Sequence, residues 1–382
     1  MKKVAIVRLN RNARAGQLNL CPRNLPLDPF NACQSGHFFT QGQLEDVILF
    51  LKRRWFLIAL AAVLAIGMGF APWLQPLSKL PGLRHLIVAL VLFIMALPLE
   101  ASMMLATVRR PTAALLATSI NFGLLPLTMW GTVICLQQAN FLQGDLGESL
   151  AIGLLVVAAT PCTLASASVW TRKAGGNDAI AIMVTVITNL SCFIISPCWL
   201  LLTANRNVDL ELGAMIIKLG LLVVLPMTVA QLLRIHQPLA RWATGKKPQL
   251  SLLSQCGILT MVFLGSIMTG NNLRQTPIGL AGLGSFTWMI ITVLTIHTAM
   301  FVIGFKAAKW SRLSRPDATA VGFSGSQKTL IVGLTMAVEA GGSILPMISY
   351  HVGQLLIDTL IADRLKRTAD QQEQPAPLRE GV

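Results

Sequence analysis

Apolar residues along this chain do not alternate with polar ones. They gather into runs of about 20, each long enough to cross a hydrocarbon core as a helix. Ten such runs fall near residues 56–77, 85–107, 113–136, 149–171, 178–203, 211–235, 251–270, 280–305, 318–338 and 343–362, joined by short polar stretches. The pattern predicts an all-α polytopic membrane protein with ten transmembrane helices. Composition agrees: 54% of the 382 residues are hydrophobic and 12% charged, against roughly 45–50% and about 25% in soluble domains.

Two runs lose their apolar character at mid-span. Helix 4 reads "LAIGLLVVAATPCTLASASVW", where Pro161 removes a backbone donor inside a small polar run from Thr160 to Ser168. Helix 9 reads "ATAVGFSGSQKTLIVGLTMAV", with Gly322, Gly325, Ser324, Ser326, Gln327, Lys328 and Thr329 at its middle. Ten spans divide into two sets of five, repeat one over 56–203 and repeat two over 211–362. An odd repeat length turns the second set upside down, and the interruptions then sit at equivalent places. Matched interruptions are the sequence pointer to a carrier's midplane site. Pro161, Gly322 and Gly325 are the expected helix-break residues.

The formal charge of +15 is distributed by side. Alternate loops and both termini carry 25 Lys and Arg, and the opposite loops only 4 (Lys79, Arg84, Arg206 and Arg274). Lys218 and Lys328 complete the 31, both inside spans. This asymmetry predicts that both termini face the cytoplasm. It also argues against nucleic acid as a partner, since no aromatic side chains are interleaved with the charge for stacking. Residues 1–43 lack the apolar core of a signal peptide and read as a poorly ordered cytoplasmic extension. The transporter domain is expected over 50–365 and a cytoplasmic tail over 366–382. Seven scattered cysteines form no C-x-x-C pair, and most sit in apolar segments, where they read as buried thiols and not as disulfides or a zinc site.

Several ordered stretches resemble the bile acid:sodium symporter family, in its SBF-like ten-helix bacterial branch. They are "KRRWFLIAL", "LPLEA", "RRPTAALLATSINFGLLPLTMW", "TRKAGGNDAIAIMVTVITNL", "IHTAMFVIGFKAAKW" and "GSQKTLIVG", spread over residues 50–365. The resemblance implies a core of helices 3–5 and 8–10 in which helices 4 and 9 cross. Helices 1, 2, 6 and 7 would form a panel moving against it. The implied activity is secondary transport of small organic anions by alternating access, usually with sodium as the coupling ion. It also implies oxygen ligands for sodium at Asn121, Ser166, Thr185 and Gln327. Thr163, Asn189, His297, Ser326 and Lys328 complete the candidate substrate or ion site. The family's central glutamate is replaced by Phe323, and Ala167, Ala181 and Lys328 stand where it carries further oxygen ligands, which argues against binding two sodium ions.

Each residue has a plainer reading beside this one. Asn121, Ser166 and Thr185 also suit hydrogen-bonded packing between helices. His297 suits a packing role, Lys218 suits snorkelling to the interface, and Glu100 suits pairing with Arg109. Gly175-Gly176-Asn177-Asp178 suits a helix stop followed by an N-cap. Lys328 resists such a reading. An ammonium at mid-span costs at least about 2.5–3.5 kcal/mol, with ten residues of helix on either side blocking escape. It is expected to fill the place of a sodium ion, to carry a proton as the coupling ion, or to pair with the anionic substrate. Two other functions compete. "TPCTLASASVW" also resembles helix 4 of arsenite exporters, with Cys162 as a thiolate ligand. A non-transporting regulatory or structural membrane protein has no need of two interrupted helices. An enzyme is not expected, as no H-E-x-x-H motif or paired intramembrane carboxylates occur, and no cofactor beyond a coupling sodium ion or proton is implied.

Overall fold

The computed structural model describes residues 41–100, 111–164, 166–203, 212–275 and 280–373, and every regular element among them is a helix. In chain order they are α1 (Gln41–Gly69), α2 (Ala71–Ser78), α3 (Leu83–Ala96), α4 (Pro111–Ser119), α5 (Leu125–Gln138), α6 (Gly144–Ala159), α7 (Ser166–Lys173) and α8 (Asp178–Thr203). Then follow α9 (Leu212–Leu219), α10 (Leu225–Leu233), α11 (Gln237–Gly245), α12 (Lys247–Gln275), α13 (Leu280–Trp310), α14 (Arg315–Ser326), α15 (Leu330–Glu339) and α16 (Leu345–Glu373). The residues from Arg54 onward form one compact unit. Most of the expected N-terminal extension and the end of the tail lie outside the described residues, as do Arg109 and the last part of the second expected span.

Among the described residues, six helical stretches are long and apolar enough to cross a membrane: Pro111–Gln138, Asp178–Thr203, Gly213–Leu233, Lys247–Arg274, Gly282–Trp310 and Leu345–Thr368. The first expected span is corrected. It is not one helix over 56–77, because α1 ends at Gly69 and the chain bends by 101° into α2. Pro72 in the first turn of α2 and Pro76 within it explain the separate short helix, since each lacks the N–H that would continue a ladder. The connection after helix 6, expected as a loop, contains α11.

Two of the long helices contain a wider turn that periodicity does not show. A π turn at Ile120–Leu124 joins α4 to α5, and another at Gly220–Val224 joins α9 to α10. Each is followed by a Leu-Pro pair, Leu125-Pro126 and Leu225-Pro226. A proline inside a helix clashes with the carbonyl four residues back and leaves it without a donor. One added residue per turn relieves the clash and frees a further carbonyl.

Packing falls into two sets of partners. α12 lies on α2 and α3, and α10 also lies on α3. Elsewhere α14 packs against α13, α4, α8 and α7, while α16 packs against α13, α6 and α7. α14 is buried along its length from Ala318 to Ser326. Gly322 and Gly325 lie inside this helix and do not form its break, which is a correction. A Cβ on Gly322 would meet the Phe301 ring at 3.0 Å, and one on Gly325 would meet Ile120 at 3.2 Å. Their missing side chains let α13 and α4 approach. At the end of α7, Gly175 takes φ +72 and Gly176 N–H donates to Thr171 O at 2.8 Å, the helix stop expected there.

Candidate functional site

The helix break after α6 starts where Pro161 forces Thr160 into an extended conformation, φ −71 and ψ 151. The carbonyls around the break lose their helical donors, and such groups are tolerated in a membrane only beside other protein or water. Here side chains supply replacements. Ala159 O accepts from Ser196 Oγ at 2.6 Å, Cys162 O from Asn189 Nδ2 at 2.8 Å, and Thr163 O from Thr185 Oγ1 at 3.1 Å. Cys162 N–H donates to Thr188 Oγ1 at 3.2 Å. One polar face of α8 therefore stands in for a missing helical turn. Pro161 O accepts from Thr329 N–H at 3.0 Å, so the two breaks meet directly.

The second break covers Gln327–Thr329, between α14 and α15, and is held mainly by α16. Ser326 O accepts from Tyr350 OH at 2.6 Å. The Gln354 carboxamide takes both backbone groups of Lys328, accepting from its N–H and donating to its carbonyl, each at 3.0 Å. Asn121 Nδ2 donates to Gln327 O at 2.9 Å from the π turn.

Lys328 then reaches across to the first break. Its Nζ donates to Ala158 O at 2.7 Å, Thr160 O at 2.8 Å, Asn121 O at 2.8 Å and Asn121 Oδ1 at 3.2 Å. The residue is 0% exposed, and Nζ also stands 5.6 Å from the Phe122 ring centre. Each carbonyl is free for a stated reason. Ala158 O and Thr160 O are released by the break. Asn121 O is released because Leu125 N–H bonds to Ile120 O in the π turn, and the next candidate donor, Pro126, has no N–H. The neighbouring Phe122 O, freed by the same proline, takes the Trp199 indole at 2.7 Å.

A second chain of contacts runs beside the lysine. Ser166 Oγ donates to Gln327 Oε1 at 3.0 Å, and Gln327 Nε2 donates to Asp358 Oδ2 at 2.5 Å. The other Asp358 oxygen lies 3.0 Å from His297 Nε2, and His297 Nδ1 lies 3.3 Å from Ser326 O. Asp358 is completely buried and His297 nearly so.

These positions bring together all nine expected substrate or ion residues, in three groups. Asn121 and Lys328 form the cage. Gln327, Ser166, Ser326 and His297 join through Asp358, and Thr163 meets Ser166 at 3.3 Å. Thr185 and Asn189 brace the first break, where Asn189 Oδ1 is left without a protein partner. The four expected sodium ligands do not converge on one point through their own contacts. Asn121 Oδ1 faces an ammonium, Thr185 faces a carbonyl, and Phe323, at the glutamate position, packs on Phe301 with ring centres 4.8 Å apart. Asp358, Gln354, Tyr350, Thr188 and Ser196 were not anticipated. Tyr350, Gln354 and Asp358 follow one another at a spacing of four in "YHVGQLLID", which places them on one face of a helix.

A cavity of about 310 Å³ opens below the first break on the Lys/Arg-rich side. Ile94, Met95, Leu164, Val169 and Ile182 form apolar walls, and Arg172, Lys247 and Glu100 give it charge. Arg172 is ion-paired with Asp178. A second cavity of about 270 Å³ lies on the opposite side, lined in part by Asp145, Ser149, Thr269 and Asn272. Near that side Lys218 does not snorkel freely. It pairs with Glu339 at 2.5 Å, and His85 approaches the same carboxylate at 3.4 Å. Burial works to raise the Glu339 carboxyl, but the hydrogen bond and charge of Lys218, with His85, hold it below its ordinary value.

The six long apolar helices, beside two helix breaks held by buried polar contacts, mark a multi-pass membrane protein. The match to known proteins is specific: the SBF-like CPA transporter family covers residues 54–367, and the chain belongs to that family. It is a family of transporters and not of enzymes. The chain is 24% identical over 331 residues to sodium/bile acid cotransporter 7-B of Xenopus laevis, covering 83% of this chain and 92% of that one. It is 23% identical over 332 residues to sodium/bile acid cotransporter 7 of Rattus norvegicus, covering 83% and 93%. It is also 23% identical over 249 residues to the uncharacterized sodium-dependent transporter YocS of Bacillus subtilis (strain 168), covering 65% and 71%.

Proposed function

We propose that the protein carries small amphipathic organic anions by alternating access, with Lys328 as its fixed cationic centre in place of sodium. The observation that carries this reading is the Lys328 ammonium held by four oxygens where the two breaks meet. An ion in that place would balance helix-end and carbonyl dipoles, and a tethered ammonium supplies the same charge without dissociating. The relatives named for sodium and bile acid support an anionic, amphipathic substrate class. The cavity with apolar walls and basic groups suits such a molecule.

The architecture we propose for transport is a ten-helix inverted repeat of five and five. Counting the bent pair α1–α2, the shorter apolar helix α3 and the two interrupted helices as one crossing each adds four to the six long spans. The set around α14 and α16 serves as the core, and the set around α12 and α3 as the moving panel. Both termini face the cytoplasm from a plasma membrane, a bacterial inner membrane, in keeping with the charge asymmetry.

Uptake of a panel of organic anions into proteoliposomes tests the reading, run in sodium chloride and in choline chloride. Equal uptake in both, lost in Lys328→Met, is the expected result. Uptake that collapses in choline, with the same sodium dependence retained in Lys328→Ala, overturns it.

A further inference from the structure

We infer that the oxygen cage around Lys328 is a monovalent-cation site in its own right, which a free alkali ion enters once the lysine amine is removed. This rests on the reading of Lys328 as the cationic centre and extends it to the cage itself.

The cage is built without the lysine. Pro161 and the extended Thr160 release Ala158 O and Thr160 O. The π turn and Pro126 release Asn121 O. Asn121 Oδ1 is fixed because the same carboxamide donates to Gln327 O at 2.9 Å. Removing the amine therefore leaves four oriented oxygens in a buried space. A buried acceptor without a partner costs about 1–3 kcal/mol, so a cation that fits the vacated cage restores what the amine supplied.

The geometry also names the ion. A lysine ammonium has three N–H donors, yet four oxygens stand within 2.7–3.2 Å of Nζ. A spherical ion has no such limit. All four oxygens are neutral carbonyls or amides with no carboxylate among them, which favours a singly charged ion over a doubly charged one. Three lie at 2.7–2.8 Å, well beyond the roughly 2.0–2.1 Å that magnesium requires and the roughly 2.3–2.6 Å usual for calcium. Backbone carbonyls that replace a hydration shell are the means by which potassium is held in selective pores. The larger alkali ions, potassium before lithium, fit the cage.

Thermal unfolding of the purified full chain in lithium, sodium, potassium and choline chloride at equal ionic strength tests the inference. Wild type is expected to unfold at one temperature in all four. Lys328→Ala is expected to unfold lower in choline and to rise saturably in potassium or sodium by about 3 °C or more. Lys328→Asn, which keeps a short polar side chain, is expected to behave in the same way and guards against an Ala variant that does not fold. Lys328→Met has nearly the reach of lysine without its charge and is expected to show no response. Equal unfolding temperatures in all four salts for both the Ala and Asn variants overturn the inference, as does a cation response in Lys328→Met equal to that of Lys328→Ala. The functional reading fails separately: wild-type uptake lost in choline, beside a cation-responsive Lys328→Ala, removes sodium independence and leaves the cage standing.

Discussion

Lys328 and Lys218 are the same side chain, one in the break between α14 and α15 and one in the long apolar helix Gly213–Leu233, and the protein satisfies them in opposite ways. Lys218 sits near a helix end with its side chain 37% exposed and pairs with a carboxylate, Glu339. Lys328 is 0% exposed and meets only neutral oxygens. Near the interface one counter-charge suffices, because water shares the work and the pair is worth less than about 1 kcal/mol. At mid-span an ammonium needs its whole hydration shell replaced, and one carboxylate cannot do that. The first helix break and a π turn provide the replacement. The cost of burying the charge is offset by backbone carbonyls that would otherwise be orphaned themselves.

That contrast orders the expected effects of mutation. Lys328→Met carries the largest: uptake should fall to the level of empty liposomes, since the cationic centre is gone and the thioether keeps a free ion out. If Lys218→Met abolishes uptake equally, depth is not what separates the two lysines. Asp358→Leu comes next. It leaves Gln327 Nε2 and His297 without their shared acceptor, and orphaning these buried polar groups destabilises by about 3 kcal/mol, read as a lower unfolding temperature in detergent. Gln354→Leu should cost about 2 kcal/mol by orphaning the backbone N–H and carbonyl of Lys328. Unchanged stability there would mean that α16 does not hold the second break.

The smallest effect belongs to the exposed lysine. Glu339→Gln is expected to lower stability by less than about 1 kcal/mol near neutral pH. The sign of its pH dependence follows from the depressed Glu339 carboxyl. A group with a lowered folded-state value stabilises above its unfolded value and loses that contribution as pH falls through the folded one. The gap between wild type and Glu339→Gln should therefore close on acidification, and a gap that widens would contradict the pairing.

The same contrast shows what the sequence makes legible. Pro161 announces the first break, and "GSQKT" announces a polar centre in helix 9, because prolines and charges stand out in apolar runs. The second break nevertheless falls at Gln327–Thr329 and not at the glycines, whose role is close packing against Phe301 and Ile120. Asp358 was legible in principle, as a carboxylate in an apolar span with Tyr350 and Gln354 on its face. The cage oxygens were not, apart from Asn121 Oδ1. Three are backbone carbonyls, which carry no letter of their own: the break at Pro161 frees two of them, and the third depends on a π turn hinted at only by Pro126. Lys328 could thus be recognised as anomalous, and Asn121 named in the same site, while the backbone carbonyls that hold it could not be named.

Uptake of organic anions by the wild-type protein in proteoliposomes, with choline replacing sodium on both sides, is the most direct test of a fixed cationic centre. The account expects the same initial rate in choline as in sodium. A rate that disappears in choline and returns with added sodium would contradict it.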